Sequence, residues 1–145
     1  MIPTKHGTTN YKMLRPFLDA LDARADCGTA WLRFTAPGFM DLSMEKLGFV
    51  DYRGLPVYCV AHYGEQNGDL MSDPYMEFSV DAASGRVEPL SFRNDFAGLY
   101  QEVYKKRGEK TLYSPALRTE LDGFLWQWLK NIREQGFTSE NRKEC

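Results

Sequence analysis

Hydrophobic periodicity changes twice along this chain, and that change constrains the fold more than any other feature. Near the N-terminus Leu14, Phe17, Leu18, Leu21 and Ala25 recur at helical spacing. In the middle the period drops to two. Met40, Leu42 and Met44 alternate with Asp41, Ser43 and Glu45, and Met76, Phe78 and Val80 occupy every second position of Tyr75–Asp81. Helical spacing then returns with Leu117, Leu121, Phe124, Leu125, Trp128, Leu129 and Ile132. A period of two puts alternate side chains on opposite faces of a strand, and a period near 3.6 builds one face of a helix. Short links favour antiparallel hairpins over parallel crossovers. The predicted fold class is therefore α+β, an antiparallel meander of about five strands packed against N-terminal and C-terminal helices.

Local signals refine this reading. The first helix is expected from about Asn10. Pro16 is expected in its first turn, with regular helix beginning near Met13–Arg15, and Gly28 as its left-handed cap. Strands are expected at Thr29–Thr35, Phe39–Lys46, Val57–Tyr63, Tyr75–Asp81 and Arg86–Phe92. Val57–Tyr63 is apolar on both faces, which suits a central strand. Pro89 has no N–H to give a ladder, so it marks an edge or a bulge. Asn94 or Asp95 is a candidate N-cap for a further helix carrying Phe96, Leu99, Tyr100, Val103 and Tyr104. In that reading Lys105-Lys106-Arg107 meet the negative helix end and Gly108 stops it. Ser114 and Pro115 form an N-cap and first helical residue, and Gly136 closes the last helix. One domain is expected over 10–137, with 1–9 and 138–145 as flexible tails.

Composition excludes several function classes. The chain has 145 residues and a net charge of -2, with 9 Phe, 8 Tyr and 3 Trp to fill a core. That charge argues against a dedicated nucleic-acid binder, which needs a basic footprint. No apolar run approaches the ~18 residues that span a bilayer. The start of the chain lacks a signal-peptide core, so the expected location is cytoplasmic. Cys27, Cys59 and Cys145 are far apart and unpaired in pattern, which disfavours a disulfide framework or thiolate zinc site. Cys59, in an apolar run, reads as a buried inert thiol. No nucleotide, nucleophile-elbow or zincin motif occurs, and no cofactor is expected.

The chemistry-bearing residues gather between two strands. His62, Glu65, Gln66, Asn67, Asp69 and Asp73 lie in one polar segment, 62–74, read as a loop. Asn67-Gly68 is a turn dipeptide, and His62 at a strand end also suits a hydrogen-bonded core or rim position. Alternatively Glu65, Asn67, Asp69 and Asp73 supply oxygen ligands for Mg²⁺ or Ca²⁺, although their spacing departs from an EF-hand. His62 with Asp69 would make an acid–base pair, but no Ser or Cys nucleophile is placed beside them. Residues 41–81 hold eight acids against two bases. If those acids share one sheet face, they present a negative surface to a basic partner. Trp126 falls off the apolar face of the last helix, as a partly buried ring or a partner anchor. His6 reads as solvated.

The pattern His62-Tyr63-x-Glu65-Gln66-Asn67-Gly68-Asp69-Leu70-x-x-Asp73-Pro74-x-Met76-x-Phe78 resembles the signature of an uncharacterised bacterial domain family of plasmids, phages and integrative elements. Pro37-Gly38-Phe39-Met40-Asp41-Leu42, Asn94-Asp95-Phe96 and Phe124-Leu125-Trp126-Gln127-Trp128-Leu129 are similar to its pattern too. The resemblance covers most of 11–137. It implies an accessory protein of mobile DNA and supplies no catalytic residue. The resulting expectation is a non-enzymatic protein-interaction module, binding a protein partner through 62–74 and the acidic sheet face. The alternative is a metal-dependent enzyme or metal-binding protein using His62, Glu65, Asp69 and Asp73. A third reading, nucleic-acid contact through Lys105–Lys110, predicts steep salt dependence.

Overall fold

The computed structural model describes residues 3–24 and 31–143, apart from the Glu65 side chain. The expected Gly28 cap, Cys27 and Cys145 lie outside the described residues. Helix α1, Gly7–Asp22, buries Asn10, Leu14, Phe17, Leu18 and Leu21 as one stripe. It starts earlier than the sequence suggests, and Pro16 sits inside it rather than in its first turn. The apolar stripe continues unbroken past the proline, and its burial outweighs one lost backbone hydrogen bond. The last helix, α2 (Pro115–Glu134), begins as expected: the Ser114 side chain accepts from Leu117 N, and Pro115 occupies the first turn.

Between the helices lie β1 (Trp31–Phe34), β2 (Leu42–Val50), β3 (Pro56–Gln66), β4 (Asp69–Asp81), β5 (Arg86–Asn94), β6 (Leu99–Glu102), β7 (Tyr104–Arg107) and β8 (Lys110–Tyr113); β9 (Arg142–Lys143) follows α2. The main sheet has the order β6-β5-β4-β3-β2-β1-β9, and every pairing is antiparallel. The fold is α+β as expected, with seven strands in the main sheet rather than five. Strand β3 is central, as its two apolar faces require. Pro89 lies opposite Phe78 where the register shifts, so the bulge reading of Pro89 holds.

Three expectations fail for local reasons. The helix predicted after Asn94 does not form. Asn94 Oδ1 instead accepts from Ala97 N, Gly98 turns the chain at φ 63, and β6 pairs back onto β5. Phe96, Leu99 and Tyr100 have helical spacing but stay exposed, and only Val103 is buried. Lys105-Lys106-Arg107 therefore lie on a hairpin strand, and Gly108 is its turn. Segment 62–74 is not a loop either. It is strand on both sides of a two-residue turn, Asn67-Gly68, with φ of 54 and 84. Positive φ at both positions is the mirror-image turn whose twist matches a hairpin. The chain ends are engaged: Thr4 O accepts from Arg86, and Thr35 N donates to Asn141 O beside β9.

The helices cover one face of the sheet. Phe34, Leu42, Met44, Val60, Met76 and Phe78 meet Leu14, Leu125 and Ile132 there, each essentially solvent-free. Full burial of one such side chain contributes about 1.5–3 kcal/mol relative to exposure. Among the described residues no helix is long and apolar enough to cross a membrane.

Candidate functional site

The predicted polar residues are distributed along the β3–β4 hairpin. His62 is buried on the helix side. Its Nδ1 lies 3.1 Å from Asp41 O, and its ring sits near Trp128 and Phe137. A carbonyl only accepts, so Nδ1 carries the proton. Burial lowers the His62 pKa, against the opposing pull of the Asp41 hydrogen bond and the Asp73 charge. Gln66 and Asp69 pair at the hairpin tip, flanking Asn67-Gly68. Glu65 is in register with Leu70. Asp73 Oδ1 accepts from Asn94 Nδ2 at 3.1 Å. Beside it Asp95 takes the Ser72 N–H and returns its own to Ser72 O, which clips the β5–β6 turn to β4. Those Ser72 hydrogen bonds hold the Asp95 carboxyl below its usual range.

This arrangement separates the proposed ligands. The tip pair stands four positions beyond His62, about 13 Å at strand rise. Among the described residues no three His, Cys, Asp or Glu side chains converge on a position for one metal ion. Gln66, Asn67 and Asp69 remain together and exposed at the tip.

The opposite face of the sheet carries a groove. Register places Glu45, Cys59, Glu77, Ser91 and Glu102 side by side across β2 to β6. Neighbouring strands lie about 4.8 Å apart, so successive carboxylate positions in this row are about 10 Å apart. The next row is Ser43, Ala61, Tyr75, Arg93 and Tyr100. The small residues Cys59, Ala61 and Ser91 in these rows are buried between longer neighbours. Trp31, Glu45, Cys59, Tyr63 and Leu70 line a cavity of about 380 Å³ at one end. Tyr75 Oη donates to Glu77 Oε2 at 2.7 Å, and Arg93 lies over the Tyr75 ring. Burial, then Glu45 and Glu77, push the Cys59 thiol up to about 12. It is a protonated thiol and no nucleophile. Of the eight acids counted in the sequence, Glu45 and Glu77 stand in this row. Asp51 and Asp81 fold back on their own turns, accepting from Leu55 N and Ser84 N. Glu102 was not foreseen in this row because the segment beyond Asn94 reads as helix, and Ser91 was expected in a strand with nothing to place it beside Glu77.

A buried carboxylate outside the predicted set fixes one wall of this face. Glu88, opposite Ser79 in β5, accepts from Arg118 Nε at 2.6 Å, pairs with Arg53 Nη2 at 2.9 Å, and bonds the hydroxyls of Tyr52 and Tyr104. Arg53 also reaches Asp51 and Ser79. One carboxylate thus ties the β2–β3 connection, β7 and α2 to the sheet. Burial and the bond to Glu88 raise the Tyr104 phenol. Nothing in the spacing of Tyr52, Arg53, Glu88, Tyr104 and Arg118 announces this gathering. Trp126 is partly covered: His6 stacks on it at 4.6 Å and Lys130 lies over it at 4.3 Å.

The geometry defines an α+β domain with both helices on one face of an antiparallel sheet and a carboxylate- and aromatic-lined groove on the other. The chain belongs to the family described as a domain of unknown function, DUF6908, whose model matches residues 12–138. No curated protein and no solved structure matches it.

Proposed function

We propose that the chain is a non-enzymatic protein-interaction module whose outer sheet face binds a basic, extended segment of a partner protein. The β3–β4 tip, with Gln66, Asn67, Asp69 and Leu70, forms one end of that surface. One observation carries the reading. Glu45, Glu77 and Glu102 stand on alternate strands among Tyr63, Tyr75, Tyr100 and Trp31, and among the described residues none of the three carboxylates is in an ion pair. Carboxylates set among aromatic rings suit arginine and lysine through charge and cation–π contact. The mobile-element pattern in the sequence suggests the setting: an accessory protein of a plasmid, phage or integrative element, with a basic nucleic-acid-binding protein as partner.

The test uses a fluorescein-labelled arginine- and lysine-rich peptide, its glutamate-rich counterpart and the full chain. Saturable binding of the basic peptide alone is expected. The triple variant E45Q/E77Q/E102Q weakens it roughly threefold to a hundredfold, since three rim pairs contribute about 0.2–1 kcal/mol each. Unchanged affinity in the triple variant, with its melting temperature preserved, overturns the reading.

A further inference from the structure

Strands β7 and β8 form a two-stranded ribbon separate from the main sheet. Its register pairs Tyr104 with Tyr113, Lys105 with Leu112, Lys106 with Thr111 and Arg107 with Lys110. Side chains alternate along a strand, so Lys105, Arg107, Lys110 and Leu112 share one side. Every residue from Lys105 to Lys110 is exposed. Arg107 and Lys110 stand directly opposite, a like-charge pairing that destabilises a ribbon. Among the described residues none of Lys105, Lys106, Arg107 or Lys110 is in an ion pair. Helix-dipole compensation does not account for these cations, because no helix is present there. The base of the ribbon is nonetheless fixed. Val103 is buried and donates to Leu90 O, Ser114 N donates to Val103 O, and Tyr104 Oη is bonded to Glu88. A rooted ridge of uncompensated cations calls for an anionic surface.

We propose that the Lys105, Arg107 and Lys110 side of the ribbon contacts the phosphate backbone of a nucleic-acid duplex. A major groove admits a two-stranded ribbon, and Lys and Arg bind phosphates without reading sequence. A duplex fits better than a single strand, which needs aromatic rings for its bases to stack on. The two tyrosines of the ribbon lie on its other side, stacked near each other with centroids 5.9 Å apart. The net charge of -2 makes this a weak, accessory contact that low salt reveals.

Fluorescence anisotropy with a labelled duplex of ~20 bp tests it. Three phosphate contacts give a slope of log K against log salt of about -2.7, a roughly 300-fold loss of affinity from about 25 to about 200 mM salt. The variant K105Q/R107Q/K110Q brings the slope close to zero. The variant K12Q/K130Q/R133Q, with the same charge change on the two helices, leaves it unchanged. Circular dichroism melts confirm that both variants fold. Equal slopes in the two variants overturn the proposal, as does absence of binding at low salt. Competition by poly-glutamate as strong as by unlabelled duplex also overturns it, in favour of an acidic protein partner.

Discussion

Replacing Glu88 by alanine removes a carboxylate that meets Arg118, Arg53 and the hydroxyls of two tyrosines. The Glu88 side chain is 7% exposed and that of Arg118 is 12%, so this pair is shielded from water. Removing one partner of a buried ion pair costs about 3–5 kcal/mol, chiefly because the other charge is left stranded. Two facts place E88A at the lower end. Arg53 is 36% exposed, and it keeps Asp51 at 3.2 Å and Ser79 at 3.3 Å. The expected loss is therefore about 3 kcal/mol, a large share of the roughly 5–15 kcal/mol that stabilises a domain. At about 2–4 °C per kcal/mol for a chain near this size, the melting temperature falls by roughly 6–12 °C. Urea denaturation of wild type, E88A, R118M and the double variant measures the effect and its coupling. The double variant should recover at least about 1 kcal/mol of the summed single losses, because the two side chains in direct contact are then removed together. A loss under about 1 kcal/mol in E88A, or strict additivity, refutes the view that this carboxylate holds the wall of the outer face.

Other outcomes follow from the same geometry. His62 titrates lower in the folded state than its unfolded value near 6.5, so the unfolded chain binds more protons as pH falls below that value. Stability is expected to be flat above about pH 7 and to decline from about 6.5 downward, with H62Q flattening the decline between about pH 6.5 and 5 in thermal melts. D122A removes the acceptor of His6 N at 2.8 Å; it should cost about 2–3 kcal/mol and speed amide exchange in the first turn of α1. G68A forces a Cβ onto φ 84 in open space, so the cost of about 1 kcal/mol is pure backbone strain, read from the denaturation midpoint. S114A removes the α2 cap and should cost about 1 kcal/mol in the same assay.

Elements whose local signals agree with their packing were legible in the sequence. The Ser114-Pro115 start, the alternating strands and the apolar-on-both-sides β3 each carried their own physical cause. Segment 94–107 misled because Phe96, Leu99, Tyr100, Val103 and Tyr104 fit a helical stripe, while Gly98 and pairing to β5 decided otherwise. Local spacing cannot weigh a tertiary hydrogen-bond ladder against a helix. The polar segment between β3 and β4 was found, but its length was misread: Asn67-Gly68 alone makes the turn. Glu88 escaped notice because its partners are 16 to 36 positions away on three different parts of the fold. The outer-face row had the same cause: neighbours across strands are set by register, which single-strand alternation does not reveal.

The first turn of α1 is closed by Asp122, 116 positions later in the chain, and β1 gains its outer neighbour only from Arg142–Lys143. A ribosome delivers these parts after the strands and the helix they meet. A chain without α2 and β9 would display bare the apolar side of a six-stranded sheet, beside a helix whose N-cap residue lacks its acceptor, and such surfaces invite aggregation. Closure of this sheet face therefore waits on α2 and residues 142–143, far along the chain from the strands they cover.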